Sequence, residues 1–259
     1  MKERINATVA IVDIRNFTPV FENFEKQKDD SFIKYMEEYY LTGHRLANLA
    51  AFDKKVFFKT SGDGYIVIFY GKNHERAGYL FGLLLYKTLI QKCKDFNNTH
   101  KTKVLFGMGI ETGKVIQVLS DGLENFLGSV INVAARIENS TKLFDNTHLI
   151  IGHELYIKLI EILYGKAQKE KVVNRSDSYE DIDYKRVIQL HNELNNLSQK
   201  LMLFYLFKHH LKGVEEPTPL YRLSPCLTDF DLSKNFSNVI ELLCNNSDKF
   251  KKIQKEIQN

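Results

Sequence analysis

Cysteine is scarce in this 259-residue chain, which holds only Cys93, Cys226 and Cys244. Three thiols without metal-ligand spacing cannot pair completely, which excludes a disulfide framework and points to a reducing compartment. Long apolar runs are missing too. The longest, around Tyr79–Leu89, is interrupted and too short to cross a bilayer. The opening residues, Met1 to Asn6, have no apolar signal-peptide core. A cytoplasmic protein without membrane contact is therefore expected. The eight histidines are scattered, and even His209-His210 lacks partners at metal-ligand spacing. Neither a P-loop nor a Gly-x-Ser-x-Gly elbow is present. Gly107-Met108-Gly109 with Gly113 lacks the spacing of a dinucleotide loop. Charge of one sign is also lacking: 36 basic against 32 acidic side chains leave a net +4. That balance gives no support to a nucleic-acid partner, whereas it suits a small polyanionic ligand.

What the chain does contain is a readable order of elements. Residues 6–14, rich in Ala, Thr, Val and Ile, predict a buried strand. Apolar residues at helical spacing over 31–51 predict a helix, with Asp29, Asp30 or Ser31 as N-cap. Val56-Phe57-Phe58 and Tyr65–Phe69 flank Ser61-Gly62-Asp63-Gly64, whose Asp-Gly step signals a hairpin. A second helix is expected over 74–94, ending in a loop at Asn97-Asn98-Thr99. Strands follow at Lys103–Ile110 and Lys114–Leu119, about a Glu111-Thr112-Gly113 turn. The order β-α-β-β-α-β makes the fold class α+β, a ferredoxin-like split βαβ arrangement with an additional strand. Further on come a helix near 129–142, a strand at His148–Ile151, a helix from Glu154 to about Leu163, strands at Leu201–Phe207 and Pro219–Leu223, and a polar helical stretch over 232–258. The polar stretch 165–200 reads as an insertion.

Within this order two aspartates stand at strand ends about fifty residues apart, Asp13 in Ala10–Thr18 and Asp63 in Phe58–Gly64. Split βαβ connectivity places their strands side by side, so the two carboxylates converge where hard divalent cations are held against phosphate oxygens. Taken singly, either aspartate is an ordinary turn former. Backbone amides at Asn16–Thr18 add an anion-binding turn. Asn132 and Arg136, at i and i+4, share a helix face apart from Val130, Val133, Ala134 and Ile137. A guanidinium there is a planar fork for phosphate oxygens, although a solvated polar face explains the pair equally well. Lys59 on a strand end and Lys212 in a turn are, by themselves, unremarkable surface lysines.

Together these segments resemble the catalytic domain of class III nucleotidyl cyclases, the adenylyl and guanylyl cyclases. The resemblance runs over roughly residues 5–225 and rests on five pieces in order: Asp13–Thr18, Lys59–Asp63, Gly107–Gly113, Gly128–Glu138 and Leu211–Pro217 before Tyr221. It implies a catalytic domain over 1–225 carrying the 165–200 insertion, then a helical tail over 226–259. It implies a homodimer with composite active sites. One subunit would hold two Mg²⁺ or Mn²⁺ ions through Asp13, Asp63 and the Ile14 carbonyl, with Phe17 and Thr18 at the phosphates. The other would bring Lys59 and Asn125 to the base, Asn132 to the ribose, Arg136 to the transition-state phosphoryl group and Lys212 to the terminal phosphates. The activity implied is conversion of a nucleoside triphosphate to a 3′,5′-cyclic nucleotide and pyrophosphate.

In that family a lysine where Lys59 stands goes with adenine, since an ammonium donates to the ring N1, so ATP is the substrate implied. Asn125 departs from the Asp or Thr usual in adenylyl cyclases. An amide both accepts and donates, which leaves room for UTP or CTP, as in the compact pyrimidine cyclases of bacterial antiphage systems. A catalytically silent nucleotide-binding dimerisation domain is the alternative of another class. Retention of Asp13, Asp63, Asn132 and Arg136 speaks against it.

Overall fold

A computed structural model describes residues 2–144, 148–166, 203–212, 218–223, 229–244 and 246–258. The long first strand β1 (Lys2–Arg15) is buried on both faces in its second half. Ala7 and Val9 face one apolar cluster, and Ala10, Val12 and Ile14 face another. It pairs antiparallel with β3 (Gly64–Tyr70) on one side and β4 (Leu105–Ser120) on the other. With β2 (Val56–Ser61) outside β3, the order β2-β3-β1-β4 is that of a split βαβ unit. Strands β6 (Leu149–Gly152), β8 (Thr218–Leu223) and β7 (Leu203–His209) continue the sheet beyond β4, and β5 (Leu123–Leu127) folds back on the end of β4.

Helices α1 (Phe17–Gln27), α2 (Ser31–Ala50), α3 (His74–His100) and α5 (His153–Tyr164) cover one face of the sheet. Residues 77–85 of α3 are almost uniformly buried, since the helix lies between the sheet and its helical neighbours. The opposite face carries α4 (Ser129–Ser140), seated on β4 and β1 through Val130, Ala134 and Ile137. The last two helices, α6 (Asp229–Cys244) and α7 (Ser247–Gln258), add Phe236, Val239, Ile240, Leu243 and Ile253 to the larger core. Arg76 donates to the carbonyls of Leu242 and Leu243 at 3.1 and 3.3 Å. The Lys249 ammonium donates to Leu49 O at 3.1 Å and Ala51 O at 2.6 Å, and lies 4.1 Å from the centre of the Phe52 ring. These carbonyls close α2, so a cation at that end also meets the negative pole of the helix dipole.

Several sequence expectations change. No turn interrupts Glu111-Thr112-Gly113: β4 runs straight through it for 16 residues. Glycine there leaves room for α4, whose Val130 Cβ would lie 3.2 Å from a Cβ at position 113. The loop expected at Asn97-Asn98-Thr99 is helical, because the Asn97 side chain both donates to Val104 O (2.8 Å) and accepts from Val104 N–H (2.7 Å). Beyond it Lys101, at φ 50°, ends α3. Helix α1 and strand β5 are additions to the expected order of elements. The 232–258 stretch is two helices rather than one, and α2 begins as expected, with Asp30 as N-cap and Asp29 Oδ1 accepting from Ser31 N–H at 2.8 Å. The expected insertion lies outside the described residues except for 165 and 166.

Glu111, fully buried, accepts from Thr112 N–H and from Leu155 N–H in the first turn of α5, both at 2.8 Å. Burial outweighs these donors and pushes its carboxyl up to about 8 from 4.5. An acid whose folded-state value exceeds its unfolded one holds a proton in the native protein that the unfolded chain has already lost. Stability from neutral Glu111 is thus complete below about 4.5 and declines as pH rises through about 8. In thermal melts between pH 5 and 8 the wild type should lose stability steadily, by the order of a few kcal/mol. Glu111→Gln should flatten that slope, and an unchanged slope would rule Glu111 out as its source.

Candidate active site

The sheet end where β1, the β2–β3 turn and α1 meet forms a cleft of about 480 Å³. Its lining includes Asp13, Ile14, Phe17, Thr18, Asp63 and Lys142. Each arrives there for a local reason. Asp13, half-buried, is the last residue of β1 paired with β3, opposite Gly64 and two residues before the strand ends. The β2–β3 hairpin turns at Gly62-Asp63, with Gly62 at φ 62°, a left-handed geometry that glycine takes at the first central position of tight hairpins. Ile14 N–H donates to Asp63 O at 3.2 Å, tying the turn to the end of β1. From the other side Tyr40 of α2 donates to Gly62 O. Asn16, at φ 61°, swings the chain into α1, and its amide donates to Lys103 O at 3.3 Å. Phe17 and Thr18, in the first turn of α1 where N–H groups have no intrahelical acceptors, line the cleft.

The two carboxylates are close enough to perturb each other. Burial, and then the charge of Asp63, hold the Asp13 carboxyl above the usual aspartate range, with Lys142 opposing. The Lys142 ammonium stands 3.6 Å from Asp13 Oδ2 and 3.9 Å from Glu138 Oε2. Glu138, buried on α4 with Oε1 lacking a hydrogen-bond partner, is pushed up to about 7, chiefly by burial. Among the described residues no group of three or more His, Cys, Asp or Glu forms a metal cage. Two carboxylates and a carbonyl leave most of a coordination sphere to other ligands, which is how Mg²⁺ is held when substrate phosphates complete it. In this structure the cation facing Asp13 is the Lys142 ammonium.

The remaining residues singled out in the sequence do not line this cleft. Lys59 is exposed on β2, on the sheet face that carries Phe57 and Ile66. Asn125 is exposed on β5 opposite Val118, Asn132 is exposed on α4, Arg136 is half-buried one turn later, and Lys212 is exposed just beyond β7. Conversely, Arg15, Lys103 and Lys142 line the cleft and Glu138 stands beside Lys142, although the motifs give none of them a role. Only the Glu138–Lys142 spacing of four residues was visible in advance.

No protein-family model and no curated protein matches the chain. Solved structures do. The adenylyl cyclase CyaB from P. aeruginosa aligns at TM-score 0.61 and 19% identity, covering 88% of this chain and 98% of that one. The guanylyl cyclase Cya2 aligns at TM-score 0.55 and 14% identity, over 88% and 96% of the two chains. The catalytic core of a rhodopsin-guanylyl cyclase with converted specificity, in complex with ATPalphaS, aligns at TM-score 0.55 and 16% identity, over 86% and 98%. The chain thus has the fold of the class III adenylyl and guanylyl cyclase catalytic domain.

Proposed function

We propose that this protein is a nucleotidyl cyclase, converting a nucleoside triphosphate, ATP in the first place, to a 3′,5′-cyclic nucleotide and pyrophosphate. The observation that carries this reading is the convergence of Asp13 and Asp63 beside the N-terminus of α1, on a cyclase fold. Asp13, Asp63 and the Ile14 carbonyl would hold two divalent cations, Mg²⁺ or Mn²⁺. Bound there, the ions would supply Lewis acidity toward the ribose 3′-hydroxyl and neutralise the triphosphate. The chain's own work is placement: Phe17 and Thr18 N–H groups take phosphate oxygens, and the fixed strand ends set the in-line geometry.

Lys59, Asn125, Asn132, Arg136 and Lys212 act on this reading from a second copy. Two features support a homodimer with composite sites. The five residues stand apart from the cleft, so the groups assigned to the base, the ribose and the transition-state phosphoryl group would have to come from another chain. The α4 face is also only partly covered: Phe57, Ile66 and Tyr70 are half-buried there, and Leu123 and Leu127 of β5 are 67% and 60% exposed. Lys59 favours adenine as a donor to N1. Asn125, exposed on β5, favours a second reading in which UTP or CTP is cyclised, since its amide accommodates either base edge.

Incubating the purified protein with each of the four NTPs and Mn²⁺, and identifying the products, tests the proposal. Cyclic AMP is the expected product. Exclusive cyclic UMP or cyclic CMP would transfer the assignment to the pyrimidine reading. Four intact triphosphates at high protein concentration would leave only a nucleotide-binding dimerisation domain.

A further inference from the structure

Lys142 sits on a short 3₁₀ turn (Thr141–Leu143) immediately after α4. Its ammonium stands 3.0 Å from Asn139 Oδ1, 3.6 Å from Asp13 Oδ2 and 3.9 Å from Glu138 Oε2, a monovalent cation among three oxygens. The turn is not free to drift. The Arg15 guanidinium donates to Thr141 O at 2.7 Å and to Phe144 O at 3.2 Å. Arg15 lies two residues beyond Asp13 on β1, so one strand carries the carboxylate and also anchors the turn that carries the ammonium. The side chain itself is 46% exposed and has room to move, whereas Glu138 is 3% exposed and fixed. Gly107 makes that fixed position available, because a Cβ there would press on Glu138 Oε1 and Thr141 Oγ1.

We propose that Lys142 is an internal counter-ion that couples metal binding to nucleotide binding. Without nucleotide the ammonium pairs with Asp13 and holds off free divalent cations. When a metal–triphosphate enters, the ammonium leaves Asp13, stays beside Glu138 and Asn139, and faces the incoming phosphates. The inference rests on the cyclase reading of Asp13 as a metal ligand. Its physical basis is that a divalent ion and an ammonium repel strongly at one carboxylate edge in a partly buried site. A bare cation must work against that repulsion. A cation that brings its own triphosphate compensates it, because the excess negative charge attracts the displaced ammonium. Linkage then requires nucleotide and metal each to raise the other's affinity.

Mn²⁺ binding without nucleotide, followed by the paramagnetic resonance signal of the free ion, separates the possibilities. Lys142→Met should bind Mn²⁺ on the order of tenfold more tightly than the wild type, and Lys142→Arg should stay near the wild type. Unchanged or weaker Mn²⁺ binding in Lys142→Met overturns the inference. Asp13→Asn reports on the underlying reading: it should lose the site. Wild-type Mn²⁺ affinity in that variant would reject Asp13 as a ligand, whatever Lys142 does.

Discussion

Asp63→Ala and Asp13→Ala should each cut cyclic-nucleotide formation on the order of a thousandfold or more while leaving the fold intact. The size follows from removing one of two carboxylates that place positive charge against a developing oxyanion and a polyanionic leaving group, interactions worth 10²–10³ in rate even for a single preorganised donor. The selectivity follows from how the two side chains are held. Asp63 sits in a hairpin turn whose link to β1 is made by its backbone carbonyl, which alanine keeps. Ionised Asp13 costs the folded protein free energy, since burial and Asp63 hold its carboxyl above the ordinary range. Its removal should therefore leave the melting temperature unchanged or slightly higher in metal-free buffer. Initial rates with Mn²⁺ and the preferred triphosphate, alongside thermal melts and light-scattering mass, decide the matter. Full turnover in both variants would sink the two-metal reading, and a collapse in melting temperature would show the aspartates to be structural.

Gly109→Ala should have the largest effect on stability. Gly109 lies on β4 opposite Ile11 and directly beneath α4. A Cβ at this position would meet the backbone N of Glu138 and O of Ala134, and would fall 2.8 Å from Glu138 Cα. No rotamer change relieves a clash with helix backbone, so α4 must lift off the sheet and loosen the contacts of Val130, Ala134 and Ile137. A loss of about 3 kcal/mol or more is expected, a large share of a typical domain's 5–15 kcal/mol. Chemical denaturation of the variant measures it. Activity should fall as well, because α4 carries Asn132 and Arg136 and leads into the Lys142 turn. A variant as stable as the wild type would mean that α4 is not seated as closely as described.

The sequence made the strand ends and helices legible where local pattern and tertiary demand agree. Period-two and buried runs located β1, β2 and β3, and helical spacing located α2 and α4. It misled where a residue's role comes from a distant neighbour. Gly113 looks like a turn residue, yet it is a strand residue kept small for α4. Asn97 looks like a helix stop, yet it holds Val104. The Asp121-Gly122 step, with both residues at positive φ (51° and 77°), is the hairpin signal that would have disclosed β5. Phe17, Val20, Phe21 and Phe24 carried the spacing of α1. In the site, Asp13, Ile14, Phe17, Thr18 and Asp63 line one cleft. Glu138 and Lys142 reach Asp13 from about 125 residues away along the chain. No local pattern encodes that meeting.

The docking of α6 and α7 has a consequence for synthesis. Leu49, Ala51 and Arg76 are translated early, but their partners, Leu242, Leu243 and Lys249, emerge about 165–200 residues later. Growing chains lengthen by only about 5–20 residues per second and fold in domain-sized units. For roughly ten seconds or more the nascent polypeptide thus lacks the helix whose Phe236, Val239 and Ile240 join the core beside α3. The core has all its members only after Ile253 has been added, long after the strands of the sheet.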